Sequence, residues 1–81
     1  MNTELKRIIE LLEEMLNDTT VPKNVKSVIT NMIKTLKEEK DVCVASYKAL
    51  NILEDLNDDS NVQSYTRTQL WDIASMLEKL T

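Results

Sequence analysis

The sequence predicts an all-α fold: a four-helix up-and-down bundle in one domain spanning residues 1–81. Three observations predict it. The chain has no glycine and one proline, so it lacks the residues that sheet hairpins and phosphate-cradling loops use at positive φ. Apolar residues recur at helical spacing through four segments of roughly 14–20 residues. Short polar links separate these segments, which favours antiparallel neighbours. Eighty-one residues leave room for a single core. At this size good helix packing or self-association has to supply the stability that a small core lacks.

Helix one is expected from Thr3 to Leu16. Leu5, Ile8, Ile9, Leu12, Met15 and Leu16 share one stripe, opposite Lys6, Glu10, Glu13 and Glu14. Thr3 or Asn2 can accept from the free amides of the first turn, and Asn17 suits a left-handed cap at the other end. After the turn Thr19-Thr20-Val21-Pro22, helix two runs from Lys23 to Glu38, with proline tolerated in its first turn. Val25, Val28, Ile29, Met32, Ile33 and Leu36 form its apolar face.

Asp41 caps helix three, which ends at Asn57. Val42, Ala45, Ala49, Ile52, Leu53 and Leu56 make its face, and Cys43 and Leu50 widen that face to about half the circumference. This is the broadest apolar surface in the chain, so helix three is expected at the centre, with the others packed onto it. Ser60 with Gln63 reads as a capping box for helix four, expected over 61–80. Its core face is Val62, Thr66, Leu70, Ile73, Ala74, Leu77 and Leu80.

The two halves echo each other. Leu16-Asn17-Asp18 recurs as Leu56-Asn57-Asp58. With one residue inserted in the second turn, Val21, Lys26, Ile29, Met32 and Leu36 align with Val62, Arg67, Leu70, Ile73 and Leu77. Two similar helical hairpins fit the pseudo-symmetry of a bundle better than a two-repeat solenoid, which needs about three units to build a continuous core.

Composition excludes several function classes. One cysteine forms no intramolecular disulfide, and no apolar run approaches the ~20 residues of a membrane span. The start, Met1-Asn2-Thr3-Glu4, lacks a basic signal-peptide region, so a soluble cytoplasmic protein is expected. With no histidine the usual general base is absent, and one cysteine cannot build a Cys/His zinc site. No enzyme, metal or cofactor is expected. The acidic turn Glu54-Asp55-Asp58-Asp59 lacks the spacing and glycine of a calcium loop and reads as solvated. Cys43 has nothing to activate it and reads as a small hydrophobe.

Two surfaces remain as candidate sites. On helix four, Trp71 falls beside Arg67 and Glu78, off the core stripe. Tryptophan there is either a lid over the core, stacked on Arg67, or a partner-binding anchor. Val44 and Tyr47 on the polar side of helix three are expected to join it if the two share a surface, giving a protein-partner or self-association patch. On helix two, Lys23, Lys26, Lys34 and Lys37, followed by Lys40, form a basic row on an otherwise acidic chain of net charge −4. Such a row could track a phosphate backbone, but no aromatic side chain is interleaved for base stacking. Protein binding is therefore the leading expectation and nucleic-acid or ribonucleoprotein contact the alternative.

Asp18-Thr19-Thr20-Val21-Pro22-Lys23-Asn24-Val25-Lys26, followed by Thr66-Arg67-Thr68-Gln69-Leu70-Trp71 and Ser75-Met76-Leu77-Glu78, resembles the archaeal uncharacterised protein family 0147. The similarity covers nearly the whole chain. It implies an archaeal cytosolic protein with a bromodomain-like arrangement of four helices and brings no known activity. The helix arrangement alone does not license acetyl-lysine binding. The family pattern has proline and histidine near the start of helix four, where this chain carries Val62 and Tyr65.

Overall fold

The computed structural model describes residues 3–57 and 62–81. Four helices follow in order: α1 (Thr3–Leu16), α2 (Lys23–Glu38), α3 (Val42–Asn57) and α4 (Ser64–Glu78). A 16-residue helix is about 24 Å long, so the three-residue link 39–41 cannot carry the chain back to the starting end. Helices α2 and α3 must run antiparallel. Each helix packs on its sequence neighbours, and α4 closes against α1. That closure makes a bundle of two hairpins and rules out an open two-repeat array.

Helix α3 is not a hub. It packs on α2 and α4, and neither diagonal pair makes comparable contact. Its expected breadth also narrows: Ala45, Ala49, Leu53 and Leu56 are buried, Val42, Leu50 and Ile52 are half-buried, and Cys43 is exposed. The reason is size. Ala45, Ser46 and Ala49 are small, so neighbouring backbones come close and cover little of the helix's sides; α2–α3 is the closest pair in the bundle. The core is shared by all four helices, with Ile8, Leu12, Ile29, Met32, Leu36, Leu53, Leu70, Ile73 and Leu77 sealed at its centre.

Ser46 was absent from the expected core, yet its side chain is fully buried and its hydroxyl has no hydrogen-bond partner among the described residues. A buried unsatisfied hydroxyl destabilises, so Ser46→Ala is expected to raise stability by about 1 kcal/mol in urea unfolding. A loss of stability instead would show that the hydroxyl is bonded in solution.

The caps depart from expectation in instructive ways. Asp41 does cap α3, its Oδ1 accepting from Cys43 N at 3.0 Å and Val44 N at 3.3 Å. At the end of α1, however, no described residue has positive φ, so Asn17 is not a left-handed cap. The chain instead tightens, with Asn17 N donating to Glu14 O and Asp18 N to Met15 O across three residues. Asp18 then organises the turn: its Oδ1 accepts from Thr20 N at 2.9 Å and Thr20 Oγ1 at 2.7 Å. Pro22 closes the turn as the extended N-cap of α2, which begins at Lys23 as expected.

Helix α4 is shorter than the sequence suggests. Gln63 is extended, with φ −68° and ψ 153°, and stands at the N-cap without a side-chain cap bond. It therefore cannot be the third residue of a capping box, and Ser60 lies outside the described residues. Val62 is buried as part of the connection, before the helix starts. Leu80 and Thr81 belong to a three-residue turn closing on Leu77 and Glu78.

Burial also corrects the internal echo. Helices α2 and α4 begin 41 residues apart, and their N-caps are near-copies: Pro22 at φ −61°, ψ 154° and Gln63 at −68°, 153°. The first helical bonds match too, Lys26 N to Pro22 O at 3.0 Å and Arg67 N to Gln63 O at 2.9 Å. The same spacing pairs buried Leu5 with Ser46, Ile8 with Ala49, Leu12 with Leu53 and Met15 with Leu56. One register runs through both hairpins, with no inserted residue. The repeated Leu-Asn-Asp tripeptide is one residue out of that register because it reflects local helix-ending chemistry rather than the buried face.

Candidate protein-interaction face

Two contacts orient the candidate residues. Lys48 Nζ lies 3.0 Å from Glu39 Oε2 and shares a shallow hollow with Thr35 and Glu38 of α2, so that flank of α3 faces α2. Leu11, Glu14 and Met15 of α1 line a small cleft with Gln69, Asp72 and Ile73, so that flank of α4 faces α1. At 100° per residue, the remaining flanks face each other: Cys43, Ser46, Tyr47, Leu50 and exposed Glu54 on α3, and Arg67, Trp71, Ala74 and Glu78 on α4.

Trp71 and Tyr47 thus stand on the two banks of one groove. They are 59 % and 62 % exposed. So exposed an indole seals little of the core, and a lid is the weaker description of it. Leu50 and Ala74 are half-buried and form the apolar floor between the banks. Arg67 is half-buried, its Nε donating to the Val62 carbonyl at 3.3 Å, which ties the start of α4 to the connection before it. Glu78 is exposed two turns further along α4 from Ala74's neighbour Trp71.

Val44 does not join this groove. It is 39 % exposed and lies across the outward crest of α3 from Tyr47, about 60° round toward α2. Cys43, expected as a small core hydrophobe, is exposed at the rim of the groove. Its place on the wheel explains this: it falls about 110° from the middle of the buried face of α3, of which Ala45 in the same turn is part.

The lysine row lies on the opposite side of the bundle. Lys23, Lys34, Lys37 and Lys40 are exposed and Lys26 is half-buried. Because Thr35 and Glu38 face α3, the row occupies the α1 flank of α2, where exposed Glu10 and Glu13 of α1 form the other bank. Lys26 also acts on the Asp18 carboxyl. That group is held below its ordinary value first by the Thr20 hydroxyl, then by the Thr20 amide, with Lys26 contributing charge. Asp18 thus sits within charge reach of the row, while Lys6 stands between Glu10 and Glu13 on the facing bank.

The Glu39 carboxyl is likewise lowered, by the Lys48 hydrogen bond first and the Asp41 amide second. Folded pKa values below the unfolded ones mean that the native state holds fewer protons. The stabilisation is therefore fully present above the ordinary Glu value of 4.5 and is lost as pH falls through the lowered folded value. Lys48 is exposed and Glu39 only half-buried, so solvent screens the pair and the effect is small. Glu39→Gln is expected to flatten the acid limb of a stability-versus-pH curve slightly and leave it unchanged at neutral pH in shape.

Two features had not been read from the sequence. Tyr65 is 68 % exposed near the start of α4, but it points about 120° away from Trp71 and belongs to another face. The α1–α4 cleft, about 80 Å³, holds a buried Gln69 Oε1 that lacks a hydrogen-bond partner among the described residues. Small-molecule sites are several times larger, at roughly 300–1,000 Å³. The described residues hold no group of three or more metal-ligating side chains, and Asp58 and Asp59 lie outside them. No described helix is long and apolar enough to cross a membrane.

Comparison with known proteins agrees with the fold and the sequence pattern. A crystal structure of a protein of unknown function, MMP1188, superposes with a TM-score of 0.91 at 39 % identity, covering 96 % of this chain and 90 % of that one. A UPF0147 protein of Methanocaldococcus jannaschii is 39 % identical over 77 residues, which is 94 % of this chain and 83 % of the relative. One from Archaeoglobus fulgidus is 31 % identical over 95 % of this chain and 88 % of its own length. The family model described as uncharacterised protein family UPF0147 matches residues 1–80. With the turn and helix-four motifs in place and the match running almost end to end, the chain belongs to the uncharacterised protein family UPF0147.

Proposed function

We propose that this protein is a small, non-enzymatic binding module of the cytosol that engages protein through the α3–α4 groove. Arg67, Trp71 and Glu78 supply one bank and Tyr47 the other. The observation that carries this reading is the joint exposure of Trp71 and Tyr47 on one face with half-buried Leu50 and Ala74 between them. Tryptophan, tyrosine and arginine are the residues most enriched among binding hot spots, and an apolar floor with charged ends is the anatomy of a small interface. The absence of histidine from the chain supports a non-enzymatic role.

The competing reading is nucleic-acid or ribonucleoprotein contact through Lys23, Lys26, Lys34 and Lys37. The carboxylates of Glu10 and Glu13 beside that row, and the acidic net charge, weigh against it. Affinity capture from native lysate, with and without nuclease, separates the two. On the protein-binding reading a partner survives nuclease, is lost with Trp71→Ala, and is kept with Lys26→Glu/Lys34→Glu. Recovery that needs intact nucleic acid, weakens steeply with salt and fails with the lysine variant would transfer the function to α2.

A further inference from the structure

The α4 bank has an internal symmetry that identifies a partner. Arg67, Trp71, Ala74 and Glu78 are spaced four, three and four residues apart and fall within about 60° of arc. This is the spacing of a coiled-coil seam, on the flank of α4 where Trp71 and Glu78 are exposed and half-buried Ala74 packs at the edge of the core. Arg67 and Glu78 are equidistant from the midpoint of the seam, and so are Trp71 and Ala74. A two-fold axis through that midpoint sets an antiparallel second α4 so that Arg67 meets Glu78 of the other copy, twice. The same axis sets Trp71 over Ala74 of the other copy, twice, a large residue against the small one that admits it. One operation satisfies both the charges and the shapes.

We infer that the α3–α4 groove binds a second copy of this chain, in an isologous dimer built on antiparallel α4–α4 packing. The inference rests on the reading that this groove is a protein-binding face and names its occupant. Other arrangements of two α4 helices are penalised: a parallel pair would put Arg67 against Arg67 and Glu78 against Glu78, and like charges opposed across an interface select against it. Size points the same way, since a single core of 81 residues gains from self-association.

Sedimentation equilibrium of the purified full chain tests this. The wild type is expected to be dimeric at roughly 100 µM and to dissociate in the micromolar range, with Trp71 emission moving to the blue over the same concentrations. Glu78→Arg, at an exposed position, is expected to weaken the dimer more than tenfold, as is Trp71→Ala. Arg67→Glu/Glu78→Arg restores complementarity and is expected to recover the dimer, and mixing the two single charge variants gives a heterodimer. Circular dichroism checks that each variant folds; if Arg67→Glu does not, Glu78→Arg and Trp71→Ala carry the test. A monomeric wild type at that concentration overturns the inference, as does a dimer indifferent to Glu78→Arg and Trp71→Ala. A monomer that still loses a captured heterologous protein on Trp71→Ala overturns the dimer alone and leaves the binding-face reading standing.

Discussion

Leu53→Ala is expected to cost about 3–4 kcal/mol, read as a fall in the urea midpoint with little change in slope. Leu53 is 1 % exposed, on the one helix whose other central residues are Ala45, Ser46 and Ala49. Those side chains have no spare length with which to refill the space, so the site cannot collapse and the cavity term applies nearly in full. A domain of this size has roughly 4–12 kcal/mol of stability in total, so one truncation removes a large share. Its counterpart Leu12 in the other hairpin is also fully buried but has Ile8, Ile9 and Met15 around it. Methionine is adaptable, so Leu12→Ala is expected to cost less than Leu53→Ala. Equal costs would argue that the small-residue face of α3 does not set the tightness of the core.

Trp71→Ala is expected to separate binding from folding. Its indole is mostly in solvent, so truncation should alter the stability of the dilute chain by about 0.5–1 kcal/mol at most and leave its helical content intact. In a complex the same side chain is desolvated on both faces, where an aromatic anchor contributes about 2 kcal/mol or more, a loss of about thirtyfold in affinity. Tyr47→Ala, on the other bank, is expected to act in the same direction with a smaller effect, because the floor beside it remains. A Trp71→Ala chain that melts as easily as Leu53→Ala would return the indole to the core.

Helix positions and most of the core were legible in the sequence because they follow from period and composition. The stripes of α1 and α2 are nearly continuous Leu, Ile, Val and Met, and all of their expected face is buried except Leu16 and Val28, which are half-buried. Helix α3 was harder. Apolar residues cover so much of it that periodicity overstates its buried face, placing Cys43 inside and missing Ser46. Which flank faces which neighbour is a tertiary property that only the packing reveals. The sequence placed Tyr47 and Val44 together on the polar side of one helix; which of them lies toward α4 depends on where α2 and α4 stand. The start of α4 was misplaced because a buried valine before an extended Gln63 imitates the first turn of a helix. The solved relative shares the fold, and the family brings no activity with it.

The chain has a single tryptophan, which makes the most direct test a spectroscopic one. Acrylamide quenching of Trp71 would be measured on the dilute chain and again on the complex isolated at high concentration or from lysate. The account predicts an indole that is readily quenched when the chain is alone and shielded when it is in the complex. Quenching that is already weak in the dilute monomer, or equally strong in the complex, would contradict it.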